Sequence, residues 1–269
     1  MELSWRLYLS LVVSTFSSVL FGQNVVEKKE YFIKKAFNTY PQVSEEFRDC
    51  IDSALVLLPN DAQLWREKAT SHFKAGQYEP ALKYINKAVE LDTLAYLGYR
   101  GFMKCVFMKD YANAIIDLKA IYKKRPIDQT MDHSYPFWIG ISYLKLNKLD
   151  SADYYVGLSV NNALLKGKEA VHYVDWFYWG LTKFKQKKYK EALSYFENAM
   201  AQNSHFPDVE YYKAMVLLQL NQKEDAKALL IQAKANIANG YRMNEDNESY
   251  ANYPYQITTF EIDEILEKL

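Results

Sequence analysis

Apolar residues return every three or four positions along most of this chain, in paired blocks separated by short polar turns. Between Tyr173 and Ser204 that period predicts two helices folded back on each other. Trp176, Trp179, Gly180 and Phe184 fall at helical spacing in the first, and Ala192, Phe196 and Ala199 in the second. The small Gly180 and Ala192 stand where two helices can approach closely, and the large residues flank that contact.

The pattern recurs. Repeat one runs from Ala62 to about Thr93, with Trp65, Ala69, Gly76, Tyr78, Ala81, Ile85 and Ala88 in place. Repeat two follows to Pro126 with Gly101, Tyr111, Ala114, Leu118 and Ile121, and its first helix or turn carries one extra residue. Repeat three begins near His133, with Gly140, Tyr143, Leu149, Ala152 and Val156. Tyr173 to Ser204 is repeat four, and repeat five starts at Pro207, with Ala214, Leu217, Ala226, Leu230 and Ala233. The alanines at the tight contact, Ala81, Ala114, Ala152, Ala192 and Ala226, are separated by 33, 38, 40 and 34 residues. The two longer steps place insertions near Ile127–Asp132 and Asn161–Ala170. In a stacked array such insertions emerge on one face, as part of a binding surface or as tolerated loops.

This succession of Trp, Gly, Tyr, Ala, Phe and Ala over about 34 residues resembles the tetratricopeptide repeat (TPR). The resemblance implies an all-α fold: a right-handed superhelical solenoid of about five helix-turn-helix repeats over residues 61–238. A degenerate N-terminal unit over 25–60 precedes it, where Ile51 and Ala54 match but Phe47 replaces the usual alanine. Such a degenerate unit suits a capping repeat, one of whose faces has no neighbour. After a helix C-cap at Asn239-Gly240, residues 241–256 lose the helical period and carry four tyrosines, so they are expected to pack extended along the last helices. Thr258 and Glu261 form a capping box for a final helix with Ile262, Ile265, Leu266 and Leu269 on one face. Residues 239–269 thus read as a capping segment and helix.

Tetratricopeptide arrays bind partners in a concave groove lined by the first helix of each repeat. The family's groove positions fall here on Arg66, Phe137, Phe177 and Tyr211; on Thr70, Ile141, Leu181 and Met215; and on Phe73, Leu144, Phe184 and Leu218. The Lys and Asn that clamp a C-terminal carboxylate in some family members are missing from these positions. The counting therefore predicts an apolar, aromatic groove for a protein or peptide partner, unless the tyrosine-rich tail fills it. Trp176 and Trp179 fall at packing positions of the repeat.

Composition narrows the function classes. The 269 residues carry 33 basic and 33 acidic side chains, a balance that disfavours nucleic acid as partner. Two cysteines, Cys50 and Cys105, make no disulfide framework and are expected as buried thiols. The five lysines between Lys183 and Lys190, and the acids of the C-terminal segment, read as solvated faces. Residues 1–22 combine Arg6, an apolar run from Leu7 to Phe21 and Gly22 before Gln23, the pattern of a secretory signal cleaved near Gly22. The run falls short of a bilayer span, so no transmembrane segment is expected in the mature chain. Its ending resembles signal peptides of exported Bacteroidota proteins, and the tail closing in Tyr-Pro-Tyr-Gln-Ile resembles some of their TPR proteins. Asp52-Ser53-Ala54, Asp92-Thr93-Leu94 and Asp150-Ser151-Ala152 resemble their O-glycosylation triplets.

Candidate chemistry is sparse. The four histidines, His72, His133, His172 and His205, are scattered, and no nucleotide, metal or hydrolase motif occurs. No cofactor, metal or catalytic residue is therefore expected. The sequence reads as an exported, non-catalytic interaction scaffold, with a place in an envelope assembly or secretion complex. The alternatives are a periplasmic holder of unfolded clients, or a cytoplasmic adaptor if the N-terminus is not cleaved. An enzyme would require a polar cluster around the 161–172 insertion.

Overall fold

The computed structural model describes residues 26–269, so the expected signal sequence lies outside the described residues. The regular structure of the described chain is helical apart from one two-stranded hairpin, and the chain divides into two compact units, one ending at Tyr96 and one spanning Leu97–Leu269. No described helix is long and apolar enough to cross a membrane.

The first unit holds α1 (residues 26–39), α2 (Glu45–Leu57), α3 (Ala62–Lys74) and α4 (Tyr78–Leu91). Helices α2 and α3 start where Ser44 and Asp61 accept hydrogen bonds from the Phe47 and Leu64 amides, satisfying donors the helix leaves open. Phe47 is fully buried with Ala36, Ile51, Ala54 and Leu64, and its ring meets Phe37 edge-on at 5.1 Å. A small residue, Ala36 on α1, belongs to the same buried cluster as Phe47.

Helix α5 (Thr93–Val106) begins at the end of the first unit. The second unit continues through α6 (Tyr111–Lys124), α7 (Tyr135–Lys145), α8 (Leu149–Leu164), α9 (Tyr173–Lys185), α10 (Tyr189–Gln202), α11 (Pro207–Gln219), α12 (Lys223–Ala238) and α13 (Thr259–Leu266). The first insertion is a hairpin of β1 (Gln129–Thr130) and β2 (His133–Ser134), antiparallel with Thr130 opposite His133. The second holds the end of α8 and a 3-10 turn at Lys168–Ala170.

Left-handed backbone closes the hairpin of every full repeat: Gly76, Lys109, Asn147, Lys187 and Asn221 all have positive φ, each five residues ahead of a tight-contact alanine. All five turns hold an amide that reaches the carbonyl five residues back, as from Gln77 to His72, which satisfies the last carbonyls of the helix. In repeat two a further bond, from the Asp110 amide to the Lys104 carbonyl, spans six, which locates the extra residue in the turn. The five alanines are fully buried. A Cβ on Gly140 would lie 2.8 Å from the Val156 backbone nitrogen, and one on Gly180 2.6 Å from the Phe196 ring, so the paired helices meet at backbone distance. This is the tetratricopeptide architecture expected from the repeat pattern. At the C-terminus the capping box of Thr258 and Glu261 forms and Ile262 is buried, whereas Leu269 is exposed.

Candidate functional site: an occupied groove and a buried histidine cluster

The predicted groove residues of the second unit fall into two groups. Phe137, Ile141, Leu144, Phe177 and Leu181 are buried, while Phe184, Tyr211, Met215 and Leu218 are half-buried. In the first unit Thr70 and Phe73 are buried, the Thr70 hydroxyl donates to the Arg66 carbonyl at 2.8 Å, and Arg66 pairs with Glu67 at 2.7 Å.

The tyrosine-rich tail lies against the second unit. Residues 241–258, hereafter the strap, run past α7, α9 and α11, the first helices of three repeats, and the turn after α5. The Tyr173, Tyr178 and Tyr212 hydroxyls donate to the carbonyls of Met243, Pro254 and Tyr255 at 2.6, 2.6 and 3.1 Å. The Lys109 ammonium donates to the Asn252 carbonyl. In the other direction the Tyr255 hydroxyl donates to the Leu144 carbonyl at 3.1 Å, and the Ile257 amide donates to Asp208 at 2.7 Å. Lys145 and Lys185 stand 4.5 and 5.2 Å from the Tyr255 ring, close enough for cation–π attraction. Tyr253 and Pro254 are buried, and the Tyr253 ring faces Trp138 at 6.2 Å. The strap thus presents carbonyls to fixed hydroxyls and sinks alternate rings into the apolar surface, a peptide in a peptide-binding mode.

Burial sets the protonation of this surface. Desolvation pushes the Asp208 carboxyl up to about 7, against the lowering effect of the Ile257 amide. It also raises the phenols of Tyr178, Tyr212 and Tyr253, and the first two donate to strap carbonyls.

Beside the strap's start lies a second feature. His133, in β2, is buried between two carboxylates: its Nδ1 is 2.5 Å from Asp175 and its Nε2 3.2 Å from Glu245 of the strap. Ser159 donates to the other Asp175 oxygen at 2.7 Å and pairs with Ser134 at 2.8 Å. His172 caps α9 and places its Nδ1 4.0 Å from Glu245. Burial alone would lower the His133 imidazolium, but Asp175 and Glu245 outweigh it and hold its pKa up at about 10. Burial and then the His133 charge lower His172. A cavity of about 490 Å³, lined by both insertions, opens onto His133, His172, Asp132 and Asp175. A polar cluster therefore stands at the 161–172 insertion, but its Ser159 hydroxyl faces a carboxylate rather than either imidazole, so it forms no nucleophile–base pair.

Along the sequence these histidines are scattered. The signal available was their equivalent register: each stands just ahead of the first helix of its repeat, in adjacent repeats, beside an insertion. Lys183, expected in solvent, is buried instead, with its ammonium 2.9 Å from Asp153 and 3.2 Å from Glu191. Glu245, also expected on a solvated face, is held by His133.

Comparisons with known proteins agree with the fold. A tetratricopeptide repeat family model matches residues 183–241. No curated protein matches the chain. Among solved structures it is similar to PilW, described as a type IV pilus biogenesis factor, at 15% identity over 80% of this chain and 94% of that one, with a TM-score of 0.66. It is similar to PilF of Pseudomonas aeruginosa at 15% identity over 81% and 95%, with a TM-score of 0.63. YrrB, described as a TPR protein with an unusual peptide-binding site, aligns at 20% identity over 70% and 93%, with a TM-score of 0.50. At these identities the likeness is one of fold.

Proposed function

We propose that the chain is a protein-interaction scaffold whose second unit holds an extended, aromatic peptide segment, and that its own strap occupies that groove until a partner segment displaces it. The observation that carries this reading is the set of three tyrosine hydroxyls, Tyr173, Tyr178 and Tyr212, aimed at strap carbonyls. Carbonyl contacts hold any extended chain, while pockets for alternate side chains select tyrosine and proline. The partner is thus a protein segment with the spacing of Tyr253-Pro254-Tyr255.

Export through the leader at residues 1–22 and a place in an envelope assembly belong to the same proposal. They are supported by the leader's composition and by the description of PilW, which shares the fold, as a pilus biogenesis factor. A mature N-terminus at Gln23 in protein isolated from its source supports export, and retained Met1 makes it a cytoplasmic adaptor. A stable scaffold partner co-purifies stoichiometrically, whereas the clients of a holder are many and sub-stoichiometric.

The groove is tested by loosening the strap without touching its receptor. A labelled peptide of residues 249–258 is expected to bind the Tyr253→Ala/Tyr255→Ala chain saturably and the unaltered chain far more weakly. No binding by a variant that keeps its helical circular dichroism would overturn the reading.

A further inference from the structure

We propose that His133, His172 and Glu245 form a binding site for a divalent cation of the Zn²⁺ class, closed by the strap. One candidate ligand atom from each lies within 4.8 Å of the other two, a set that a small contraction brings to coordinating distance. Two imidazoles and a carboxylate are a donor set that zinc accepts, with the fourth position left to water.

The surroundings carry the inference beyond proximity. A metal-bound histidine needs its second ring nitrogen fixed, usually by a carboxylate that is itself hydrogen-bonded. His133 has that arrangement: Nδ1 faces Asp175 at 2.5 Å, Asp175 accepts from Ser159 at 2.7 Å, and Ser159 pairs with Ser134 at 2.8 Å. This chain directs Nε2 towards Glu245. On the far side, the His172 Nδ1 accepts from the Val174 amide at 3.4 Å and faces a Glu245 oxygen at 4.0 Å. A cation bound there takes over the Nδ1 lone pair that now accepts from the Val174 amide, and sets its charge beside the Glu245 carboxylate. The cavity at His133 and His172 gives the ion and its water a way in, with Asp132 on its wall. On binding, the ion takes the place of the proton on His133 Nε2, which leaves to solvent.

The ligands come from three separate segments: the β-hairpin, the turn before α9, and the strap. Metal therefore fastens the strap to the array, which rests on no assumption about a partner.

The test uses untagged full-length chain, stripped with EDTA and titrated calorimetrically with ZnSO₄. One ion per chain is expected, with a melting temperature that rises with free zinc. Co²⁺ is expected to give the visible absorption of a four-coordinate site. His172→Ala removes the cap of α9 and should lower the EDTA-state melting temperature slightly, but it should also weaken zinc at least ~10-fold, as should Glu245→Gln. His205→Ala should change neither. Absence of 1:1 binding, or affinity unchanged in His172→Ala, overturns the site. Because no peptide enters the assay, its failure leaves the groove reading intact, and the failure of peptide binding leaves the site intact.

Discussion

At the scale of single residues, the buried charges set the largest costs. Asp117 on α6 receives two bonds from the Arg100 guanidinium, at 2.7 and 2.8 Å, and one from Lys104 at 2.7 Å, in a site largely closed to water. Removing one partner of such a group leaves desolvated charge behind, which typically costs about 3–5 kcal/mol. Asp117→Ala should lower the unfolding free energy by about that amount in a urea titration, whereas Glu79→Ala, which breaks an exposed pair with Lys83, should stay within ~0.5 kcal/mol. Asp208 governs a pH effect. Its folded value, about 7, lies above the ordinary carboxylate value of the unfolded chain. The folded state therefore favours the protonated acid, and that stability is complete below the unfolded value and is lost as pH rises towards 7. Glu248 and Glu261 push in the same direction. Asp208→Asn should flatten the fall in urea midpoint between about pH 4 and 6.5, leaving the smaller slope of Glu67 and Glu210, whose carboxyls burial also raises; above that range His133, held at about 10, adds a fall of its own in both chains. None of this is legible in the sequence, because only tertiary neighbours exclude water from Asp208, as they do from Lys183, which reads as solvated.

At the scale of elements, helix pairs were legible because their determinants are local. The tight-contact alanine, the facing glycine and the turn residue sit at fixed offsets within one repeat, so counting locates α3 to α12. The extra residue of repeat two shows in its spacing and reappears as a longer turn. What counting misses is how long an insertion stays helical: α8 continues to Leu164, past the expected start of the second insertion. The glycines allow a test of the pairing. On Gly140 a methyl group would meet the Val156 backbone nitrogen at 2.8 Å, and backbone yields little. Gly140→Ala should destabilise by about 1–3 kcal/mol through overpacking. On Gly157 the nearest atom is a Trp179 ring carbon at 3.2 Å, and the helical preference of alanine, roughly 1 kcal/mol, offsets that strain. Gly157→Ala should be near neutral by thermal denaturation, and equal losses at both sites would refute the backbone-distance reading.

At the scale of the whole chain, the groove was legible as a set of positions and its occupant only as an open alternative. The family register places Phe137, Ile141, Phe177 and Leu181 on one face from sequence alone. That the strap bonds to Leu144, Tyr178 and Tyr212 depends on contacts up to 143 residues apart, as between Lys109 and Asn252, which no local pattern encodes. The same distance hid the histidine cluster, whose third member, Glu245, arrives with the strap. A chain ending at Gly240 should bind a dye specific for exposed apolar surface and melt earlier than the full chain, since Trp138 and the apolar rings beneath the strap lose their cover. Unchanged dye binding would mean that the strap adds no cover.

The strap begins directly after α12, only a few residues from the surface it lies on. Such tethering gives a segment an effective concentration on the order of 1 mM. If the strap binds with an intrinsic dissociation constant of about 1 μM, a free peptide of equal strength meets a roughly thousandfold handicap. A rival segment overcomes that handicap by multivalency, by local abundance, or by arriving when the tether has been cut. Cleavage within the loop from Gly240 to Asn252 would then convert a closed receptor into an open one, with every groove residue in place.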